Sequence, residues 1–344
     1  MMYNEISRRI IEWQQNCPNG PIYNDLDAFI RFRAQVSFHH YHPTTGPYPE
    51  FNQRLIIWLD NLIDIDEQRR LFELVPRIYF FGKEEIDVLY RAAHQEIVIN
   101  WLIDLYNIDI TSNNVESEVK KAIQSTLFSS VTDSGRISDY CHINGIQGPR
   151  YRPEWLTWAK YGKMAVKDLL EDNDIKQVVM VEDFICTGSQ FLGSDVEKDS
   201  PIIECMKTLG DKYKFLIVPL ITCKDGIENI TDKLRKNQCT WVQCSAVFVL
   251  NEKCFIRENY NSSIFSRMSQ DEIEFHIAIH AIIKKAGLQI PFRYGPFGYG
   301  IKHGEGMGSL VVLYTNCPDN SLAIIHEQIG TWKPLFLRHP REAL

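Results

Sequence analysis

The spacing of apolar residues changes character about a third of the way along the chain. Up to residue 112 they recur every three or four positions, as in FNQRLIIWLDNLIDIDEQRRLFELV and IDVLYRAAHQEIVINWLIDLY, which predicts amphipathic helices. Pro- and Gly-rich breaks fall at NCPNGP (16–21) and HPTTGPYP (42–49). From residue 113 short apolar runs alternate with helical stretches. STLFSSV (125–131), VVMV (178–181), KFLIVPLIT (214–222), WVQCSAVFVL (241–250), SLVVLY (309–314) and SLAIIH (321–326) read as strands. Helices are predicted near 154–172, over CMKTLGDKY, and over DEIEFHIAIHAIIKKAG (271–287), which Gly287 closes. Strands separated by helices imply an α/β fold, a mostly parallel doubly wound sheet preceded by an α-helical N-terminal region. The expected domains are 1–112 and 113–344. No internal repeat or low-complexity tract is visible.

The richest stretch is VVMVEDFICTGS (178–189). A β-branched run bounded by a turn reads as a strand buried on both faces. It runs into two adjacent carboxylates, Glu182 and Asp183, and then into the small-residue turn Cys186-Thr187-Gly188-Ser189. A turn that opens a helix offers main-chain N–H groups to an anion without needing a lysine. Acids beside an anion site make sense for a sugar phosphate: the carboxylates take ribose hydroxyls and the turn takes the phosphate. A plain helix N-cap, with Thr187 or Ser189 bonding the first N–H groups, explains the turn but not two consecutive acids at the end of a buried strand. Other phosphate motifs fail. There is no Gly-Lys-Ser/Thr. Cys186 at a helix start suggests an activated thiolate, but a phosphatase-type loop needs arginine where Leu192 stands. The glycines of YGPFGYGIKHGEGMG precede a strand, the wrong polarity for a dinucleotide fingerprint, and suggest a gated or base-covering loop.

A hydrophobic strand, an acidic pair, two further residues and then small-Thr-Gly resemble the phosphoribosyl-diphosphate (PRPP) motif of type I phosphoribosyltransferases. The resemblance implies that Glu182 and Asp183 hold the ribose 2- and 3-hydroxyls. It likewise implies that Cys186, Thr187, Gly188, Ser189 and Gln190 wrap the 5-phosphate. Cys186 falls where some members carry a base-assisting aspartate and others alanine, and Gln190 stands where threonine is usual. Thr132-Asp133-Ser134-Gly135-Arg136 occupies the place of the family's pyrophosphate loop. There Gly135 would give the backbone an unusual conformation and Arg136 would neutralise the diphosphate. An ordinary βα turn with a surface arginine is the alternative. PFGYG, LVVLYTNCPDNSL and WKPLFLR resemble the tail of phosphoribosyltransferase-like proteins of bacterial conflict (anti-phage) systems, and FFGKEEIDVLYRAAHQEIVINWLID has the same flavour. Phe297, Tyr299, Asn316 and Asn320 would line the far wall of a base pocket, although an Asn-rich turn between strands explains the asparagines without a ligand. The resemblance thus implies a protein that binds PRPP or a nucleotide, with Mg²⁺ carried by PRPP, and that transfers or hydrolyses at ribose C1. Its setting would be an anti-phage effector checked by partner proteins. The alternatives are a non-catalytic sensor and a scaffold subunit.

Composition narrows the setting. The 344 residues include nine scattered cysteines and carry a formal charge of −7. An odd set of cysteines without paired spacings fits reduced thiols and a cytoplasmic location. No apolar run reaches the ~18 residues of a membrane span, and MMYNEISRR lacks a secretory segment, so no membrane partner is expected. The acidic balance argues against bulk nucleic-acid binding. Arg150, Arg152, Lys160, Lys163 and Lys167, interleaved with Tyr151, Trp155, Trp158 and Tyr161, form a modest basic stretch that a surface helix explains equally well. His39, His40 and His42 lie close together, and Glu272, His276 and His280 share a helix face at metal-holding spacing. Neither set is completed by a second cluster, so no metal site from the protein alone is expected.

Overall fold

The computed structural model describes residues 2–17, 22–43, 48–147, 154–155, 163–188, 191, 200–259, 264, 266–288, 295–300 and 305–338. The helices are α1 (Met2–Asn16), α2 (Tyr23–Val36), α3 (Phe51–Leu59), α4 (Ile65–Leu74), α5 (Lys83–Ala92), α6 (Ile99–Tyr106), α7 (Val115–Gln124), α8 (Ile137–Ile143), α9 (Lys163–Asp172), α10 (Pro201–Leu209), α11 (Lys224–Lys236), α12 (Gln270–Ala286) and α13 (Ala323–His326). The strands are β1 (Tyr79–Phe81), β2 (Thr126–Ser130), β3 (Gln177–Ile185), β4 (Lys214–Cys223), β5 (Val242–Cys244), β6 (Phe248–Leu250) and β7 (Val311–Leu313). Contacts gather the chain into two compact units, Glu84–Asn251 and, discontinuously, Met1–Lys83 with Glu252–Leu344.

The unit of residues 84–251 is built on a parallel sheet in the order β2-β3-β4-β5, with β6 also on β4. Every residue of β2, and all but one of β3 and of β4, is buried, which is why the centres of β3 and β4 read as continuous apolar runs. Leu127, Val178, Met180, Phe215 and Ile217 face α9, α10 and α11 through Val166, Leu170, Ile202, Ile203, Met206, Ile230 and Leu234. The other face packs on the α5–α6 segment, which continues as a π-helical turn over Ala93–Val98, with Phe128 against His94 and Tyr140. The helical stretch 84–106 therefore shares its contacts with the sheet that follows it.

The apolar run 241–250 forms two short strands instead of one. β5 pairs with Phe215–Ile217 and β6 with Ile221–Cys223. Between them the Val247 N–H donates to the Pro219 carbonyl at 3.0 Å. In a parallel strand a residue's N–H and C=O point to the same side, so the N–H that Pro219 lacks is missing on that edge and the ladder breaks there.

The other unit packs α1–α4 and α12 around Trp13, Trp58, Phe72, Ile279 and Phe336. SLVVLY does not join the main sheet: β7 pairs in parallel with β1, a three-residue strand inside a stretch expected to be helical throughout. SLAIIH, expected as a strand, ends in the short helix α13 with all four residues buried. A short apolar run carries no period that separates a strand from a buried helix, and here position in the core decided. WKPLFLR is core: Trp332, Leu335 and Phe336 are buried, and Arg338 pairs with Asp319. Trp58 and Trp332 both donate their indole N–H to the Ile324 carbonyl. Helix α12 forms where expected, opened by a Ser269–Glu272 capping box and closed by Gly287 in the left-handed region.

Candidate functional site

Strand β3 continues past the apolar run and carries both acids. Its pairing with β2 ends at Ser130↔Val181, so Glu182 lies just beyond the end of β2, where the chain turns into the Thr132–Arg136 loop. The buried Glu182 carboxylate is fully engaged by that loop. Oε2 accepts from the main-chain N–H of Val131 (3.1 Å) and Thr132 (2.9 Å). Oε1 accepts from the Thr132 hydroxyl and from the Ser134 hydroxyl at 2.6 Å. Burying a carboxylate costs several kcal/mol. Charge-assisted bonds worth about 1.5–3 kcal/mol each offset part of that cost, and they tie this loop and this acid together. The half-buried Asp183 accepts at Oδ1 from its neighbour's N–H on Phe184 (2.6 Å), and the same oxygen lies 3.1 Å from Ser134 Oγ. Among the described residues no donor reaches its Oδ2.

The two acids titrate as a pair, and both are held above the usual carboxylate range. Burial is the first cause for each, and for Glu182 the adjacent charge of Asp183 adds to it. Hydrogen bonds from Ser134 and Thr132 pull Glu182 part of the way back, as those from Ser134 and Phe184 and the nearby Arg136 charge do for Asp183. Hydroxyl protons tell the same story. Thr132 and Ser134 bring two such protons to four oxygen–oxygen contacts, since their own hydroxyls also lie 2.7 Å apart. A proton retained by the carboxyl pair lets a further contact be a hydrogen bond. In the unfolded chain these carboxyls ionise at ordinary values. The folded state therefore binds more protons between that range and the raised one, and stability falls as pH rises through the interval. Glu182→Gln keeps the shape and removes one titration. Its melting temperature is expected to gain on wild type between pH 5 and pH 8, read by thermal unfolding; parallel curves would contradict this.

The Thr132–Arg136 loop does not use its glycine as expected. The left-handed residue is Arg136 (φ 40°, ψ 51°), exposed at the start of α8. Gly135 is needed for room: an added Cβ would lie 2.5 Å from the Val181 carbonyl, 2.8 Å from Ser130 Cβ and 3.2 Å from Glu182 Oε2. Its carbonyl accepts from the buried Tyr90 hydroxyl at 3.1 Å. Asp133 is exposed beside Asp183.

On the other side of the acids the chain enters the turn of Cys186, Thr187 and Gly188. Cys186 and Thr187 are buried, and Gly188 takes φ 75°. The turn's carbonyls are held from β4 and α11. Thr222 Oγ1 donates to Ile185 O (2.6 Å), Cys223 Sγ to Cys186 O (3.1 Å) and Asn229 Nδ2 to Thr187 O (3.3 Å). Gly226, at the first turn of α11, leaves space for Cys186 O, which an added Cβ would meet at 2.5 Å. Ser189 and Gln190 lie outside the described residues, as do Arg150, Tyr151, Arg152, Trp158, Lys160 and Tyr161 of the basic stretch. Thr222, Cys223, Gly226, Asn229 and Tyr90 carried no sequence signal, because their roles depend on which strands become neighbours.

The remaining candidates have local tasks in the unit formed by Met1–Lys83 and Glu252–Leu344. The Phe297 ring packs on His280 at 4.5 Å, Asn320 Nδ2 donates to the Tyr299 carbonyl (3.1 Å), and Asn316 Oδ1 accepts from Cys317 N (3.0 Å). Glu272 is spent in the capping box. His276 is buried and pushed down to about 4 by burial and the Arg77 charge, and His280 Nε2 bonds Arg257 O. Among the described residues no three His, Cys, Asp or Glu gather as metal ligands. Against an Mg²⁺ brought by a diphosphate, Glu182 has no oxygen to spare. Asp183 Oδ2 and the exposed Asp133 remain as hard oxygen donors, and that set suits a cation held mainly by its ligand and waters. No helix among the described residues is long and apolar enough to cross a membrane.

A parallel α/β sheet that ends in an acidic pair, with one loop folded onto it and a small-residue turn beyond it, defines a phosphoribosyltransferase-like protein. A family model described as PRTase-CE matches residues 55–338, and the chain belongs to that family. No curated protein and no solved structure gives a match.

Proposed function

We propose that the unit of residues 84–251 binds a ribose 5-phosphate bearing a good leaving group at C1, either PRPP or a nucleotide, and transfers or hydrolyses there. The observation that carries this reading is the convergence at the carboxyl ends of β2 and β3. The acids of β3 face hydroxyl donors on one side, and the 186–188 turn follows on the other, its carbonyls held by β4 and α11. Ligands of open α/β sheets bind at this edge. In this reading Asp183, with Glu182, fixes the ribose hydroxyls; Cys186, Thr187, Gly188, Ser189 and Gln190 take the 5-phosphate; Asp133, Ser134, Gly135 and Arg136 take the diphosphate. From PRPP the C1–oxygen bond to diphosphate breaks, and from a nucleotide the C1–nitrogen bond to the base. A bond from C1 to a base, another nucleophile or water forms in its place, and the proton of that nucleophile passes to solvent or to the leaving group. The protein's contribution to the oxocarbenium-like transition state is positioning and charge. Mg²⁺ bound with PRPP would neutralise the departing diphosphate, with Asp183 and Asp133 as the side chains to hold it or its waters.

One observation favours a second reading, a non-catalytic sensor: Glu182 already has every bond that a buried carboxylate can accept from its own loop. Calorimetric titration of the full chain with PRPP and Mg²⁺, followed by assay of released pyrophosphate, separates the readings. Saturable binding with pyrophosphate release is expected. Binding without turnover favours the sensor, and no binding of PRPP, nor of nucleoside monophosphates titrated in the same way, leaves a scaffold. The role as a partner-regulated cytoplasmic effector of anti-phage defence belongs to the same proposal and rests on the resemblance of the chain's tail. Its check is phage plating on cells that express wild type or the acid-pair variant.

A further inference from the structure

The hydroxyls of Thr132 and Ser134 lie 2.7 Å apart, about the separation of neighbouring hydroxyls on a furanose ring. Both donate to Glu182 Oε1, and Ser134 also reaches Asp183 Oδ1 at 3.1 Å. Two adjacent hydroxyls facing two carboxylates is the arrangement that a ribose cis-diol would make. Here the chain supplies both hydroxyls itself. We infer that the Val131–Ser134 loop is an internal occupant of the ribose-hydroxyl subsite, and that a ligand enters by displacing Thr132 and Ser134 from the acidic pair. The inference rests on the acidic pair being the ribose site, as proposed above.

The loop is built for such an exchange. It is fixed at one end by β2 and at the other by the Tyr90 hydroxyl on the Gly135 carbonyl. Between them Val131 is buried in the core, and Glu182 holds the segment by four bonds, of which a diol can replace the two from the Thr132 and Ser134 hydroxyls one for one. Displacement also takes the N–H groups of Val131 and Thr132 off Glu182 Oε2. Amides left without a partner are costly, and consecutive N–H groups in a turn are anion donors. A diphosphate that follows the diol into the site would recapture them. Ribose 5-phosphate, which has the diol but no diphosphate, would leave them open to solvent, and it is therefore the probe that isolates the displacement.

The test pairs calorimetry with amide hydrogen exchange on the full chain, using ribose 5-phosphate. At saturation the Val131 and Thr132 amides are expected to lose the protection they have without ligand. Ser134→Ala, which removes one competing hydroxyl, is expected to bind the probe roughly tenfold tighter than wild type. Thr132→Val, isosteric at a buried position, carries the same expectation should the first variant fold poorly. Amides that stay protected while the probe binds, or an affinity equal to or below wild type in these variants, overturn the inference and leave the ribose site standing. Absence of binding in wild type and both variants removes the ribose site, and the inference with it.

Discussion

A chain carrying Glu182→Gln together with Asp183→Asn is expected to lose PRPP affinity by a factor of about 100 or more while remaining folded. The carboxyl pair retains a proton, so one bond from a ribose hydroxyl would be charge-assisted, worth about 1.5–3 kcal/mol, and the other neutral, worth about 0.5–1.5 kcal/mol. Together they account for about two decades. The fold should survive because both amides keep the shape. The side-chain carbonyl of the introduced glutamine can still take the Val131 and Thr132 N–H groups, which now bond Glu182 Oε2 at 3.1 and 2.9 Å. Losing the charge in a buried site also removes a desolvation cost. At pH 8 the melting temperature should therefore be no lower than in wild type. Calorimetry with PRPP and Mg²⁺ and thermal unfolding of the same samples check both halves. An affinity within threefold of wild type would mean that the acids only brace the Thr132–Arg136 loop.

Gly135→Ala is the second large effect. Its methyl would sit 2.5 Å from the Val181 carbonyl and 2.8 Å from Ser130 Cβ, both on sheet strands that cannot retreat. Overpacking of this kind costs about 1–3 kcal/mol. The cheapest relief is for the loop to lift, which pulls the Val131 and Thr132 amides off Glu182. The variant should melt below wild type and show faster exchange at those two amides. Gly295→Ala, where an added methyl meets nothing within 4 Å, serves as the control and should match wild type. Equal stability of Gly135→Ala and wild type would show that the loop has slack.

The difference between what the chain's order reveals and what its folding adds is plain at this site. Strand β3 and its acids were legible because the apolar run and the carboxylates are adjacent in sequence. Their partners were not, since the Thr132 and Ser134 donors come from another strand's loop and meet Glu182 only once β2 and β3 pair. At Gly135 the sequence suggests conformational freedom, whereas the structure requires space. The break between β5 and β6 could not be read from 241–250, because its cause is Pro219 on the neighbouring strand. SLVVLY and SLAIIH read as further strands of the main sheet, but the first pairs with β1 outside it and the second ends in α13, because their partners β1 and Ser309 are beyond the reach of local pattern.

The most direct measurement is a crystal structure of the wild-type chain with ribose 5-phosphate bound. The ring hydroxyls are expected within hydrogen-bonding distance of Asp183 and Glu182, and the phosphate against the main chain of the turn that begins at Cys186. A sugar phosphate bound away from both, with Glu182 still held by Val131 and Thr132 at full ligand occupancy, would contradict that arrangement.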